Sequence, residues 1–249
     1  MTTGITASGT FYSYNKIEGS IPIVFIHGVG LTNEIWEPQL DFFNEYSTIS
    51  YDILGHGKST LEKKDISFDD FSDQLIDLID ELKINKIHLV GFSIGSLIAR
   101  NFATKFNNRL KSLILLGSIY KRTEQQQKIV SDRYDQAKQE LKLSKQALKR
   151  WFTDEYLEKN PNTYEKISSI LSANNMQNFL KVYELFVYHK NDEKFDEIKV
   201  NTLIMTGEHD LGSTVHMSQE LNEIIKNSEL EIIKNGKHLC GIECADEVN

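Results

Sequence analysis

Ser93 stands in Gly91-Phe92-Ser93-Ile94-Gly95, directly after the apolar run Leu89-Val90. A serine hydroxyl attacks a carbonyl only when a base takes its proton. The base in turn needs an acid that fixes its tautomer and stabilises its charged form. The Gly-x-Ser-x-Gly spacing suits such a serine, because it reads as a strand, a tight corner and a helix. A side chain at position 91 or 95 would collide with the corner, so glycine is required at both. The helix shows in Ile94, Leu97, Ile98, Phe102 and Phe106, which recur at helical spacing. Its first turn aims backbone N–H groups, and the positive end of the helix dipole, at the space above Ser93.

Seven histidines compete for the role of base. His27 sits in a strand-end turn, a place suited to buttressing a loop. His56 lies between two glycines, in a structural setting. His88, His189, His209 and His216 have no distinguishing context. His238 differs, since it follows Gly236-Lys237 immediately after the last predicted strand. Asp210 follows another predicted strand by a short turn, with Glu208 as its nearest rival. In an open parallel sheet the carboxyl ends of the strands line the binding crevice. Ser93, Asp210 and His238 are all expected on that edge, in the chain order Ser, Asp, His. The oxyanion formed on attack needs N–H donors. One is expected from the backbone of Ile94, the other from the loop holding His27-Gly28-Val29-Gly30.

These residues need a scaffold, and the hydrophobic pattern supplies one. Phe11 to Ile17 reads as a first strand and Ile21 to Ile26 as a buried parallel one, apolar on both faces. Thr48 to Ile53, Lys86 to Val90, Leu110 to Leu116, Val200 to Met205 and Leu230 to Ile233 read as further strands. Between them, Phe68, Phe71, Leu75, Leu78, Ile79 and Leu82 share one helical face, with Ser67 and Asp70 placed as a capping box. Val215 to Ile225 reads as another helix. Strands alternating with helices mean a mostly parallel sheet flanked by helices, an α/β fold. The pattern changes between Tyr120 and Glu197. No glycine occurs there, Lys, Gln, Glu and Asn abound, and Asn160-Pro161 marks a break. This segment is expected to be a helical insertion, with most of its aromatics in core positions.

The 249 residues suit one large domain, or one domain with a sizeable insertion, and 40% hydrophobic content supports a proper core. The net charge of −8 argues against nucleic-acid or anionic-membrane partners. No signal peptide or membrane span is legible, so a cytoplasmic protein is expected. The only cysteines, Cys240 and Cys244, form no disulfide framework. His238-x-Cys240-x-x-x-Cys244 matches no common zinc spacing, so no metal is expected. The loop His27-Gly28-Val29-Gly30 lacks the Lys-Ser/Thr ending of a phosphate loop and the third glycine of a dinucleotide site, so no cofactor is expected.

Five pieces in order resemble the α/β-hydrolase superfamily over nearly the full length. They are His27-Gly28-Val29-Gly30 with Trp36, Asp52-Ile53-Leu54-Gly55-His56-Gly57-Lys58-Ser59, Gly91-Phe92-Ser93-Ile94-Gly95, Gly207-Glu208-His209-Asp210, and His238. The resemblance implies Ser93 as nucleophile, Asp210 as acid and His238 as base, with Val29 and Ile94 as oxyanion donors. It also implies core segments 1–119 and 198–249 and a helical cap over 120–197. Within the superfamily, Arg150-Trp151-Phe152-Thr153 and His238-Leu239 with Glu243 are similar to 3-oxoadipate enol-lactone hydrolases and related small carboxylesterases. That likeness implies a small ester or lactone as substrate and places Trp151 at the substrate. It also implies a final helix after the histidine loop; with about ten residues between His238 and Asn249, either that helix is very short or the sequence is truncated. A ligand-binding protein, or a non-hydrolytic cofactor-free enzyme, could use the same fold and residues.

Overall fold

The computed structural model describes residues 1–140 and 146–249. Eight strands form one sheet: β1 (Thr2–Ile5), β2 (Phe11–Asn15), β3 (Ile23–Ile26), β4 (Thr48–Tyr51), β5 (Ile87–Phe92), β6 (Leu110–Leu116), β7 (Thr202–Gly207) and β8 (Ser228–Ile233). Their order across the sheet is β1-β2-β4-β3-β5-β6-β7-β8. β1 and β2 pair antiparallel, as do β2 and β4, while every pairing from β4 to β8 is parallel. The fold is thus an α/β-hydrolase fold with a mostly parallel sheet flanked by helices. β1 was not legible in the sequence. Ile5 is its one large apolar residue and it is exposed, so no hydrophobic pattern marks the strand; it exists because β2 offers it an edge.

Side chains alternate across the sheet with the period of two that a strand imposes. Val24, Ile26, Ile49, Tyr51, Leu89 and Leu113 face one side, where α2 (Phe68–Glu81), α3 (Ile94–Lys105) and α9 (Val215–Ile224) cover them. Asp70 closes the predicted capping box by accepting from the Ser67 amide at 2.8 Å. Phe25, Val90, Phe92, Leu116 and Met205 face the other side. There α1 (Glu37–Phe42) meets the short α10 (Cys240–Glu243), and α11 (Ala245–Val248) follows. These two one-turn helices are the elements after the His238 loop.

Among the described residues five α-helices lie between β6 and β7: α4 (Glu124–Glu140), α5 (Gln146–Trp151), α6 (Asp154–Lys159), α7 (Pro161–Ser172) and α8 (Met176–Val187). Pro161 opens α7, where its missing N–H costs nothing, so the expected break is the junction of α6 and α7. Leu148 of α5, Phe152 just after it, and Ile167 and Leu171 of α7 join the core on the Phe25 side. Behind α8, buried Arg100 of α3 holds the returning chain. Its guanidinium pairs with Glu193, donates to the Ile119 carbonyl at 2.7 Å and lies 5.0 Å from the Phe195 ring centre. Among the described residues no helix is long and apolar enough to cross a membrane.

Candidate active site

β5 ends at Phe92 and α3 begins at Ile94, so Ser93 alone makes the corner. It does so at φ 55° and ψ −120°, a strained setting for a residue with a side chain. The strain is held by packing on both sides. A Cβ on Gly91 would overlap the Gly95 carbonyl, and one on Gly95 would overlap the Ile26 and His27 carbonyls. Backbone bonds pin the corner too: Ser93 N–H donates to Leu116 O at 3.0 Å, and Ser96 N–H to Ser93 O at 2.9 Å.

The structure brings Ser93, His238 and Asp210 together from three strand ends. His238 Nε2 lies 3.2 Å from Ser93 Oγ, and its Nδ1 lies 2.6 Å from Asp210 Oδ2. Donation from Nδ1–H to the carboxylate leaves the Nε2 lone pair facing the serine hydroxyl. Asp210 is 4% exposed, and its other oxygen accepts from the Gly212 and Ser213 amides at 2.8 and 3.0 Å. The carboxylate is thereby fixed before it meets the ring. Glu208, its rival in the sequence, is exposed and accepts instead from the Asn235 amide at 3.1 Å. The loop carrying His238 crosses the end of β7 so closely that a Cβ on Gly207 would overlap the Gly236 and Lys237 carbonyls. Phe92 packs against the imidazole with ring centres 4.8 Å apart, and Trp151 approaches it at 6.4 Å.

The loop after β3 is braced by His27 and His56, the two histidines expected in structural settings. His27 Nδ1 donates to Gly28 O at 2.8 Å, and its Nε2 accepts from Ile53 N–H at 3.0 Å. His56 Nε2 accepts from Gly30 N–H at 2.8 Å. Both rings are buried and must be neutral to accept. Burial holds His27 at about 4. Burial, and then the nearness of His27, holds His56 at about 3. Gly30 N–H is held by His56 and Leu31 N–H donates to Gly28 O, while the Val29 amide has no hydrogen-bond partner among the described residues. Ile94 N–H is the first amide of α3, and helical bonding leaves the first four amides unpaired. A cavity of about 790 Å³ lies above these groups, lined by Val29, Ser93, Trp151, Asp210 and His238 among others.

One tie was invisible in the sequence. Glu243 accepts from the Thr153 amide at 2.8 Å and from the Thr153 hydroxyl, while its second oxygen accepts from the Lys237 amide at 3.2 Å. Leu239 N–H donates to Trp151 O at 3.0 Å. The histidine loop and the inserted helices are therefore joined next to His238. Nothing in Glu243 or Thr153 alone, 90 residues apart, could signal this. Among the described residues no group of three or more His, Cys, Asp or Glu side chains could hold a metal ion.

Comparison with known proteins agrees with this architecture. The chain is 30% identical over 254 residues to (E)-2-((N-methylformamido)methylene)succinate hydrolase of Acinetobacter baylyi, covering all of this chain and 94% of that one. It is 26% identical over 222 residues to 3-oxoadipate enol-lactonase 2 of the same organism, covering 89% and 83%. The crystal structure of the enol-lactonase from Burkholderia xenovorans LB400 superposes with a TM-score of 0.87 at 23% identity, over 99% of this chain and 96% of that one. The alpha/beta hydrolase fold family matches residues 21–243. With the strand order, the serine corner and this match in agreement, the chain belongs to the alpha/beta hydrolase family.

Proposed function

We propose that the protein is a serine hydrolase that cleaves a small carboxylic ester or lactone through an acyl-enzyme. Ser93 Oγ attacks the substrate carbonyl carbon as its proton passes to His238 Nε2. Asp210 holds the ring in the Nδ1–H tautomer and stabilises the imidazolium that forms. The amides of Val29 and Ile94 donate to the oxyanion, and two such donors typically supply several kcal/mol. The tetrahedral adduct collapses, the C–O bond to the leaving alkoxide breaks, and His238 returns the proton to it. In a lactone that alcohol remains tethered to the acyl group. Water then attacks the acyl-enzyme, again giving its proton to His238, and Ser93 is released. In the same reading residues 120–197 are the cap, set between core segments 1–119 and 198–249, and Trp151 contacts the substrate.

The supporting observation is the line from Ser93 Oγ through both nitrogens of His238 to a buried, doubly anchored Asp210. The relative named as an enol-lactonase supports lactones as substrates. The relative named as a hydrolase of a formamido-substituted succinate supports hydrolysis as the reaction type. The test is intact-mass analysis after exposure to a fluorophosphonate. The expected result is one adduct on the wild type and none on Ser93→Ala, with ester turnover lost in that variant. A folded wild type that takes no adduct, or a Ser93→Ala variant that still hydrolyses esters, overturns the reading.

A further inference from the structure

The loop that offers the Val29 amide is a turn in which each peptide unit is gripped. Leu31 N–H closes it on Gly28 O at 3.2 Å, and Gly30 takes a φ of 76°, a value that turns reserve for glycine. The core supplies two of the grips. His27 Nδ1 donates to Gly28 O, and His56 Nε2 accepts from Gly30 N–H. The third comes from the inserted helices. Asn174, in the turn between α7 and α8, donates through Nδ2 to Gly30 O at 2.8 Å, across 144 residues of chain. The same nitrogen lies 3.1 Å from the Ile170 and Leu171 carbonyls, at the end of α7 where helical bonding leaves carbonyls unpaired. Asn174 is thus fixed to its own helix as it meets Gly30.

A peptide unit is planar, so its carbonyl and its N–H move together. Gly30 O and Leu31 N–H belong to one unit, and Gly28 O and Val29 N–H to another. The bonds therefore run in series, from Asn174 to Gly30 O, from Leu31 N–H to Gly28 O, and from Val29 N–H to the place of the oxyanion. Each bond that a carbonyl accepts orients the N–H across the same unit and polarises it as a donor. The inserted helices also bear on the Gly30 N–H, through His56. Phe179 of α8 meets the His56 ring edge-on, with centres 6.5 Å apart. Beside it, a Cβ on Gly55 would stand 3.0 Å from Asn178 Cβ, so α8 sits directly on the loop that carries His56.

We propose that Asn174 is a positioning residue for the reaction, which from the inserted helices holds the Val29 amide in line with the oxyanion. This deepens the hydrolase reading and rests on it for the oxyanion that the amide meets. Asn174 itself touches no reacting atom. Its loss acts on the transition state, where the carbonyl oxygen carries charge, far more than on the bound ester, where it does not.

The experiment follows para-nitrophenyl butyrate turnover, and its inhibition by two ketones, in the wild type, Asn174→Leu and Asn175→Ala. Trifluoromethyl butyl ketone takes Ser93 Oγ at its carbonyl carbon as the serine proton passes to His238, and its oxygen becomes the oxyanion. Methyl butyl ketone binds unreacted. Asn174→Leu keeps the bulk and removes the donor. It should lower kcat and weaken the trifluoromethyl ketone about tenfold each, short of the roughly hundredfold that follows outright loss of an oxyanion donor. KM and the methyl ketone should stay within about twofold. Asn175→Ala is the structural control, because it loses the 3.1 Å bond from Asn178 N–H that caps α8 in the same turn. It should lower the denaturation midpoint and leave kcat and both ketones unchanged. If Asn174→Leu does not fold, Asn174→Ala, which admits water to the α7 carbonyls, carries the same expectation. Unchanged kcat in a folded Asn174 variant, a loss shared equally by both ketones, or an equal loss in Asn175→Ala overturns the proposal. Fluorophosphonate labelling keeps the two readings apart. No adduct on the wild type overturns the hydrolase reading, whereas an adduct with full kcat in Asn174→Leu overturns the role of Asn174 alone.

Discussion

The buried pair His27 and His56 makes stability depend on pH in a window that few other groups share. Each accepts a backbone N–H through Nε2, so each must be neutral when folded. Their folded values of about 4 and about 3 lie below the usual 6.5. A depressed histidine binds its proton more readily in the unfolded chain, so stability rises with pH and is lost as pH falls below 6.5. At pH 5 the linkage gives about 2 kcal/mol for each ring, or about 4 kcal/mol for the pair, against a typical total of roughly 5–15 kcal/mol. Glu193 does not contaminate this window. Although burial would raise it, the His189 hydrogen bond and Arg100 hold its carboxyl at about 2, so its contribution is lost only below about pH 4.5. His88, lowered by burial and by Lys111, adds in the same direction. The assay is urea unfolding at pH 7.5, 6 and 5 on the wild type and on His56→Gln. The wild type should lose about 4 kcal/mol across the series, and the variant should lose about half as much. Wild-type stability that is flat between pH 7 and 5, or an undiminished slope in His56→Gln, would refute the reasoning. The outcome bears on the proposed oxyanion donor as well, because His56 holds the Gly30 amide beside Val29.

Three other perturbations test separate ties. Gly95→Ala drives a methyl group into the Ile26 and His27 carbonyls and should cost about 3 kcal/mol or more, read as soluble yield and denaturation midpoint; a wild-type midpoint would mean the corner has room. Glu193→Ala leaves the fully buried Arg100 guanidinium unpaired and should cost about 3–5 kcal/mol by chemical denaturation, whereas a loss under about 1 kcal/mol would mean the pair is dispensable. Glu243→Ala frees the Lys237 amide beside His238 and the Thr153 amide and hydroxyl. It should lower kcat about tenfold or more with little change in KM, and a kcat within about twofold of wild type would separate this tie from His238.

Local pattern carried much of the architecture. Apolar runs and helical spacing located seven of the eight strands and the helices α2, α3 and α9, because burial against a sheet leaves a period in the chain. The corner at Ser93 was legible because its glycines answer a clash that lies within five residues. Asp210 and His238 could be placed at strand ends, since the carboxyl edge of a parallel sheet is a consequence of topology. What that pattern left open, folding decided. Asp210 rather than Glu208 meets His238, because one points inward beneath the ring and the other to solvent. His27 and His56 brace the β3 loop only because β4 runs beside β3. The Glu243–Thr153 tie joins residues far apart in sequence, and no local period records such a meeting. A sequence shows which residues must be buried and where the chain must turn; which side chains meet depends on how the inserted helices settle on the sheet.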